Sequence, residues 1–313
     1  MSRGIHVSRR DSLKRHVPAP AWQGARALAG KQDAKERLVD ALATRRELRD
    51  APVSATWKWN AVETQVRLAL SHPDVACRVR IGEFEVASFS PARLAYLHRE
   101  IFVALAYYFR AERPDPFIID GGANIGVSVI FFKTLYPGAR VLAFEPAERA
   151  YELLGSNVGP LPGVELHRMA LGRENAVVAF YEDQDDPGSL LQSTRRERLT
   201  APRQTTVEQR RLSEFLDGQA VDLLKLDIEG AEQEVVEELA DSGAIECIQQ
   251  LIVEYHHQLD PDRDSIGSFL EDLRGLGFHY QLSAHELITY RDTLEPKFQD
   301  VLVHAYRRQP HRA

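Results

Sequence analysis

From Pro116 onward the chain alternates short apolar runs with segments of helical length, and this alternation limits the fold more than any other feature. FIID (117–120) leads through a glycine turn into VSVIFFKTLY, and RVLAFEP (140–146) leads into AERAYELLGSNV. VELHRMAL (164–171) reads as a third strand. After a polar excursion come VDLLKLD, the helix AEQEVVEELADSG, the strand CIQQLIVEYH, the helix SIGSFLEDLRGLG and the strand FHYQLS; DVLVHAYRR closes the series. Strands this apolar, separated by helices, predict a mostly parallel, doubly wound α/β sheet. Such a sheet binds its ligand outside the carboxyl ends of the strands. Only a loop precedes DVLVHAYRR, so the last strand is expected to run antiparallel. VVAFYED and TTVEQRRL flank the loop 182–204 and are expected to pair with each other.

The first third has a different texture. Residues 1–30 are rich in Arg and His, are broken by VPAPA, and read as a flexible basic arm; a transit peptide is the competing reading. Residues 31–110 read as an N-terminal helical and hairpin extension. It holds a surface helix (31–50), a helix over WKWNAVETQVRLAL, a hairpin over CRVRIGEFEVASF, and one amphipathic helix over 91–109. Trp57 and Trp59 are expected in core packing, with a pocket cover as the alternative. The remainder divides into a main domain at 111–308 and a tail at 309–313.

Composition excludes several classes. The formal net charge of −7 lacks the basic surplus of a nucleic-acid binder. The longest apolar run, IFVALAYYF, is too short to span a bilayer, and no apolar signal core opens the chain. Cys77 and Cys247 form no paired motif, which suits a reducing compartment and a cytoplasmic location. The expected partner is a small molecule, with no nucleic acid and no membrane, and the N-terminal extension is a candidate surface for a homo-oligomer.

The turn DGGANIG (120–126) follows the first strand. Gly121, Ala123 and Gly126 fit a dinucleotide fingerprint loosely, and the next helix N-terminus faces the same spot. Asp120 argues against a pyrophosphate, which a carboxylate repels. S-adenosylmethionine, with a sulfonium and an ammonium and no phosphate, suits an acid there. Glu145 ends the second strand, where a carboxylate accepts hydrogen bonds from ribose hydroxyls. Met169 and Ala170 follow the third strand and are placed to pack on an adenine face.

DGGANIG, AFEP, the GSL of 188–190, LLKLDIEGAE and IVEYH stand in the order found in FkbM-type S-adenosylmethionine-dependent methyltransferases, which the chain resembles over about residues 117–282. The resemblance implies a Rossmann-like methyltransferase fold, O-methylation of a secondary metabolite or sugar, and a cofactor site at Asp120, Gly122, Asn124 and Glu145. Residues 1–76 have no counterpart in it.

A hydroxyl acceptor must lose its proton, which calls for a base near the strand ends. Asp227 and Glu229 are two apart and face the same way if the extended conformation persists. Glu254 and His256 repeat that spacing on the following strand. Three readings stay open. His256 is the base with a carboxylate orienting it; or Glu229 or Asp227 is the base itself; or Asp227, Glu254 and His256 hold a divalent metal. Glu232 reads as a first-turn acid favoured by the helix dipole. Asp227 is also a candidate cofactor contact, and Glu254 and Ser189 are candidate substrate contacts. A nitrogen acceptor, a nicotinamide-dependent oxidoreductase and a non-catalytic binding protein are the alternatives.

Overall fold

The computed structural model describes residues 34–72, 75–183, 186, 189–196, 202–257, 266–284 and 299–307. The basic arm and the tail fall outside them, as does part of the 182–204 loop. Seven strands form the main sheet: β3 (Phe117–Gly121), β4 (Arg140–Phe144), β5 (Val164–His167), β9 (Leu223–Leu226), β10 (Gln250–His257), β11 (Phe278–Ala284) and β12 (Gln299–Arg307). Their order across the sheet is β11-β12-β10-β9-β3-β4-β5. All pairs from β5 to β10 are parallel, and β12 runs antiparallel between β10 and β11, as the sequence reading expects. From β3 the chain proceeds to β4 on one side and returns to β9 on the other. That reversal of direction makes the carboxyl ends of β3, β4 and β9 the natural ligand crevice.

Alternate residues of each central strand enter opposite cores, because successive side chains point to opposite faces. Ile118, Val141, Leu223 and Ile252 pack with Val129, Phe131 and Phe132 of α4 (Val127–Leu135). Ile119, Leu142, Leu224 and Val253 pack with Val235 and Leu239 of α6 (Glu232–Asp241) and Phe269 of α7 (Ile266–Gly275). The remaining crossover helix is α5 (Glu148–Val158).

The N-terminal segment folds as α1 (Ala34–Glu47), α2 (Ala55–Leu70), the hairpin β1 (Cys77–Ile81) with β2 (Phe84–Ser88), and α3 (Pro91–His98). Trp57, Leu68, Val86 and Leu94 belong to the same apolar cluster as Phe131 and Ile118, so this segment shares a core with the sheet. The Trp57 indole N–H donates to the Phe102 carbonyl at 3.0 Å, while Trp59 is exposed, and neither reaches the cleft described below. Among the described residues no helix is long and apolar enough to cross a membrane.

Two elements differ from the sequence reading. The helix expected over 91–109 gives way to a π turn at Arg99–Val103, and Leu105 takes φ 57°. No glycine or proline marks this stop; the turn instead sends Tyr107 down towards the end of β9. The expected third strand breaks after His167: Ala170–Leu171 (β6) leaves the main sheet and pairs with β8 (Pro202–Arg210), itself antiparallel to β7 (Ala176–Asp183). β5 is the outermost strand on its side, so nothing beyond it holds the chain in register once it passes β4.

Candidate active site

The glycine turn is tied to the neighbouring strand by its backbone. The N–H groups of Gly122 and Ala123 both donate to the Phe144 carbonyl at 2.9 Å. Asn124 takes φ 48°, a conformation asparagine tolerates, and its own side chain accepts the Ile125 N–H at 2.8 Å. Its N–H donates to Glu145 Oε2 at 2.9 Å, and the Ala147 N–H donates to Oε1 at 2.8 Å. Burial raises the Glu145 carboxyl to about 7, against the pull of these two N–H groups and of Lys225.

A cleft of about 920 Å³, its open mouth included, lies over these strand ends. Gly122, Asn124, Glu145, Ala170, Ser189, Asp227, Glu229 and Glu254 line it, as does Met169. Asp120, Gly121, Gly126 and His256 do not. Asp120 corrects the electrostatic reading of the turn: it is fully buried, accepts from the Ser128 hydroxyl, and sits 3.1 Å from Lys225 Nζ. Its charge is spent inside the wall. Gly121 and Gly126 serve packing, since a Cβ at either would come 3.0 Å from Leu226 or from Leu154 and Val158 respectively.

The acidic end of LLKLDIEGAE is not extended. β9 stops at Leu226, and Glu229 and Gly230 take φ 62° and 115°. Asp227 and Glu229 still converge, because this turn, rather than strand alternation, directs both towards His256. His256 Nε2 lies 3.2 Å from Glu229 Oε2, 3.9 Å from Asp227 Oδ1 and 3.8 Å from Asp300 Oδ1. Its Nδ1 lies 2.8 Å from Glu232 Oε1, which also accepts from the N–H groups of Ile228 and Gly230. Burial alone would raise the Glu232 carboxyl, but the charge and hydrogen bond of His256 and the backbone donors hold it below the ordinary range. An ionised Glu232 can only accept, so Nδ1 carries the shared proton. Glu232 thus does more than complement a helix dipole: it fixes the imidazole.

Glu254 is pushed well above the ordinary carboxyl range by burial and by the nearby charges of Asp227, Glu100 and Asp300. Ser189 Oγ accepts the Leu191 N–H at 3.3 Å while lining the cleft. Arg195 turns away to Glu234 and the Gly230 carbonyl. Sequence reasoning missed Glu100, Tyr107, Lys225 and Asp300. Lys225 carried a signal, as a lone charge inside an apolar strand, and Asp300 stands at the start of the last one; Tyr107 and Glu100 carried none. One ligand atom each from Asp227, Glu229 and His256 lies within 4.8 Å of the others, as in a second set of Glu254, His256 and Asp300, so either can hold a metal ion. The second set includes Asp300 in place of the Asp227 expected beside Glu254.

Comparison with known proteins places the chain by its sequence. The model of the methyltransferase FkbM domain matches residues 120–280. Methyltransferase 1 of Beauveria bassiana is 31% identical over 195 residues, covering 55% of this chain and 78% of its own. The 2-O-methyltransferase NoeI of Sinorhizobium fredii is 28% identical over 179 residues, with 52% and 70% covered. The 31-O-demethyl-FK506 methyltransferase FkbM of Streptomyces tacrolimicus is 28% identical over 225 residues, with 62% and 85% covered. With its seven strands in this order and its acids at their ends, the chain belongs to the FkbM methyltransferase family.

Proposed function

We propose that the chain is an S-adenosylmethionine-dependent methyltransferase acting on a hydroxyl of a small, uncharged or cationic acceptor. One observation carries this reading. Glu100, Glu145, Asp227, Glu229 and Glu254 line the cleft, and among the described residues no lysine, arginine or histidine does. A dinucleotide pyrophosphate or a nucleic-acid backbone meets like charge there, whereas a sulfonium and an ammonium meet opposite charge. The relatives named for O-methylation weight oxygen over nitrogen.

The cofactor, when bound, supplies a methyl group already activated for in-line transfer. The chain's own residues then divide the work. Glu145 accepts the ribose hydroxyls, Met169 and Ala170 pack on the base, and Asp227 faces the cationic end. Glu229 takes the acceptor proton, with His256 3.2 Å behind it and Glu232 fixing the orientation of the ring. His256 is a second member of this relay, since the carboxylates stand between it and the cleft.

Titration calorimetry with S-adenosylhomocysteine tests the reading. Native protein is expected to bind it, and Glu145→Ala to weaken binding about 100-fold, the loss of two hydrogen bonds to a charged group. The pH dependence has a definite sign. Ribose hydroxyls need the ionised Glu145, whose carboxyl lies at about 7 in the empty site. Affinity should therefore be flat above that pH and fall by up to about tenfold per unit below it. Unchanged affinity in Glu145→Ala would remove the nucleoside from this end of the cleft.

Metal-assisted transfer is a second reading, favoured by the Asp227, Glu229 and His256 set, whose carboxylates and imidazole suit Mg²⁺ or Mn²⁺. With Glu229 as base, dialysis against a chelator should leave turnover unchanged. Loss of turnover that Mg²⁺ or Mn²⁺ restores would replace the carboxylate base with a metal.

A further inference from the structure

Lys225 sits in the middle of β9, its side chain 1% exposed, and does not line the cleft. Its Nζ lies 3.1 Å from Asp120 Oδ1 and 3.8 Å from Asp227 Oδ2. It also donates to the carbonyls of Gly121 and Gly122, at 3.0 and 2.7 Å. Burial works against the ammonium, but the two aspartates outweigh it and hold its pKa above that of an ordinary lysine. Asp120 stands directly opposite Lys225 in the β3–β9 register, which explains both residues at once. A buried ammonium is costly unless paired, and so is a buried carboxylate.

Tyr107 closes the other side. Its hydroxyl donates to Asp227 Oδ2 at 2.9 Å, and Lys225 Nζ lies 5.1 Å from the centre of its ring. Both groups therefore hold the same oxygen of Asp227. Oδ1 is left on the side of His256, and Asp227 itself lines the cleft. Nothing in methyl transfer calls for a buried lysine or tyrosine at this place; the carboxylate between them and the cleft does.

Resting on the cofactor reading above, we propose that Tyr107 and Lys225 are positioning residues. They grip Asp227 by Oδ2 so that its carboxylate meets the ammonium of the methyl donor's amino-acid arm, and Asp120 holds Lys225 from the other side. The strand order supports this division. Glu145 follows β4 and Asp227 follows β9, with β3 between them, so the two acids stand two strand spacings apart, about 10 Å. A nucleoside at one end leaves the amino-acid arm to reach the other.

Calorimetry with two probes separates positioning from general structural support. S-adenosylhomocysteine carries the amino-acid end, and 5′-methylthioadenosine lacks it. Tyr107→Phe removes one hydroxyl and keeps the ring. It is expected to weaken S-adenosylhomocysteine binding about tenfold and methylthioadenosine less than twofold. In an Asp227→Ala background the same change should have less than a twofold further effect on S-adenosylhomocysteine, because its target is gone. Lys225→Met should show the same split between probes with a larger loss; should it fail to fold, Tyr107→Phe decides alone. Equal weakening of both probes, independent effects in the double variant, or an unchanged Kd in Tyr107→Phe would each overturn the positioning role. Native protein that binds neither probe would overturn the cofactor reading itself, a result distinct from all of these.

Discussion

Glu229→Gln is expected to lower kcat by about 100- to 10,000-fold, the range that a positioned general base contributes. The lower figure corresponds to about 2.7 kcal/mol of barrier. Gln keeps the volume of the side chain and its carbonyl can still face His256, so the change removes basicity and little else. Cofactor affinity should stay within about threefold, because the nucleoside contacts lie at Glu145 and the cationic end at Asp227. Release of S-adenosylhomocysteine in the presence of neutral polyol acceptors gives kcat, and calorimetry gives the affinity. A kcat within threefold of native would return the base to Asp227 or leave catalysis to alignment alone. A parallel loss of affinity would instead make Glu229 a cofactor contact. The backbone at Glu229 adds weight to the first outcome. A non-glycine residue held at φ 62° costs of order 1–3 kcal/mol, and the Ser193 hydroxyl, donating to the Glu229 carbonyl at 2.6 Å, helps hold it there.

The sheet was legible because parallel strands buried on both faces read as nearly continuous apolar runs, and FIID, LLKL and QLIVEYH do so apart from Lys225 and the polar residues at their ends. Their lengths and the intervening helices sufficed for the fold class, and the loop before DVLVHAYRR sufficed for the direction of β12. What the sequence could not show is register. Asp120 and Lys225 are far apart in the chain and become a pair only because β3 and β9 lie side by side; His256 and Asp300 become neighbours in the same way across β10 and β12. For that reason the acid at the glycine turn led to a cationic ligand through the wrong residue. Asp120 is paired in the wall, and the negative charge of the cleft comes from other acidic residues that line it, Asp227 among them. Glu232 shows the same limit: its place in the first turn of α6 is local and visible, while its bond to His256 depends on how α6 docks on β10. The helix stop before Tyr107 had no local signature, so the residue that holds Asp227 was hidden in an aromatic run.

Gly122→Ala should be the most damaging single substitution in the glycine turn. Gly122 takes φ 78°, and an added Cβ would lie 1.8 Å from the Asp227 carbonyl oxygen and 2.9 Å from its carbon. The obstacle is backbone, so no rotamer change relieves it. Either the turn moves away from β9 or the chain at Asp227 does, and both carry cleft residues with them. Left-handed strain and forced displacement together predict a loss of about 3–5 kcal/mol, a large share of the stability of an ordinary domain. Binding of S-adenosylhomocysteine should fall at least about 100-fold, since displacement of even 1 Å in such a site is heavily penalised. Gly155→Ala in α5 is the matched control: a Cβ there meets nothing within 4 Å, and alanine in a helix interior is expected to add about 0.5–1 kcal/mol. Urea melts of both variants measure the stabilities. If Gly122→Ala melts like native protein and binds with native affinity, the close approach between the glycine turn and Asp227 does not exist in solution. The cleft built on it, with Asp227 and Glu145 two strands apart, would then have to be redrawn. If instead stability falls while the control rises, the turn and the acidic end of β9 are one packed unit, and the glycine is required because a carbonyl occupies the place of its missing side chain.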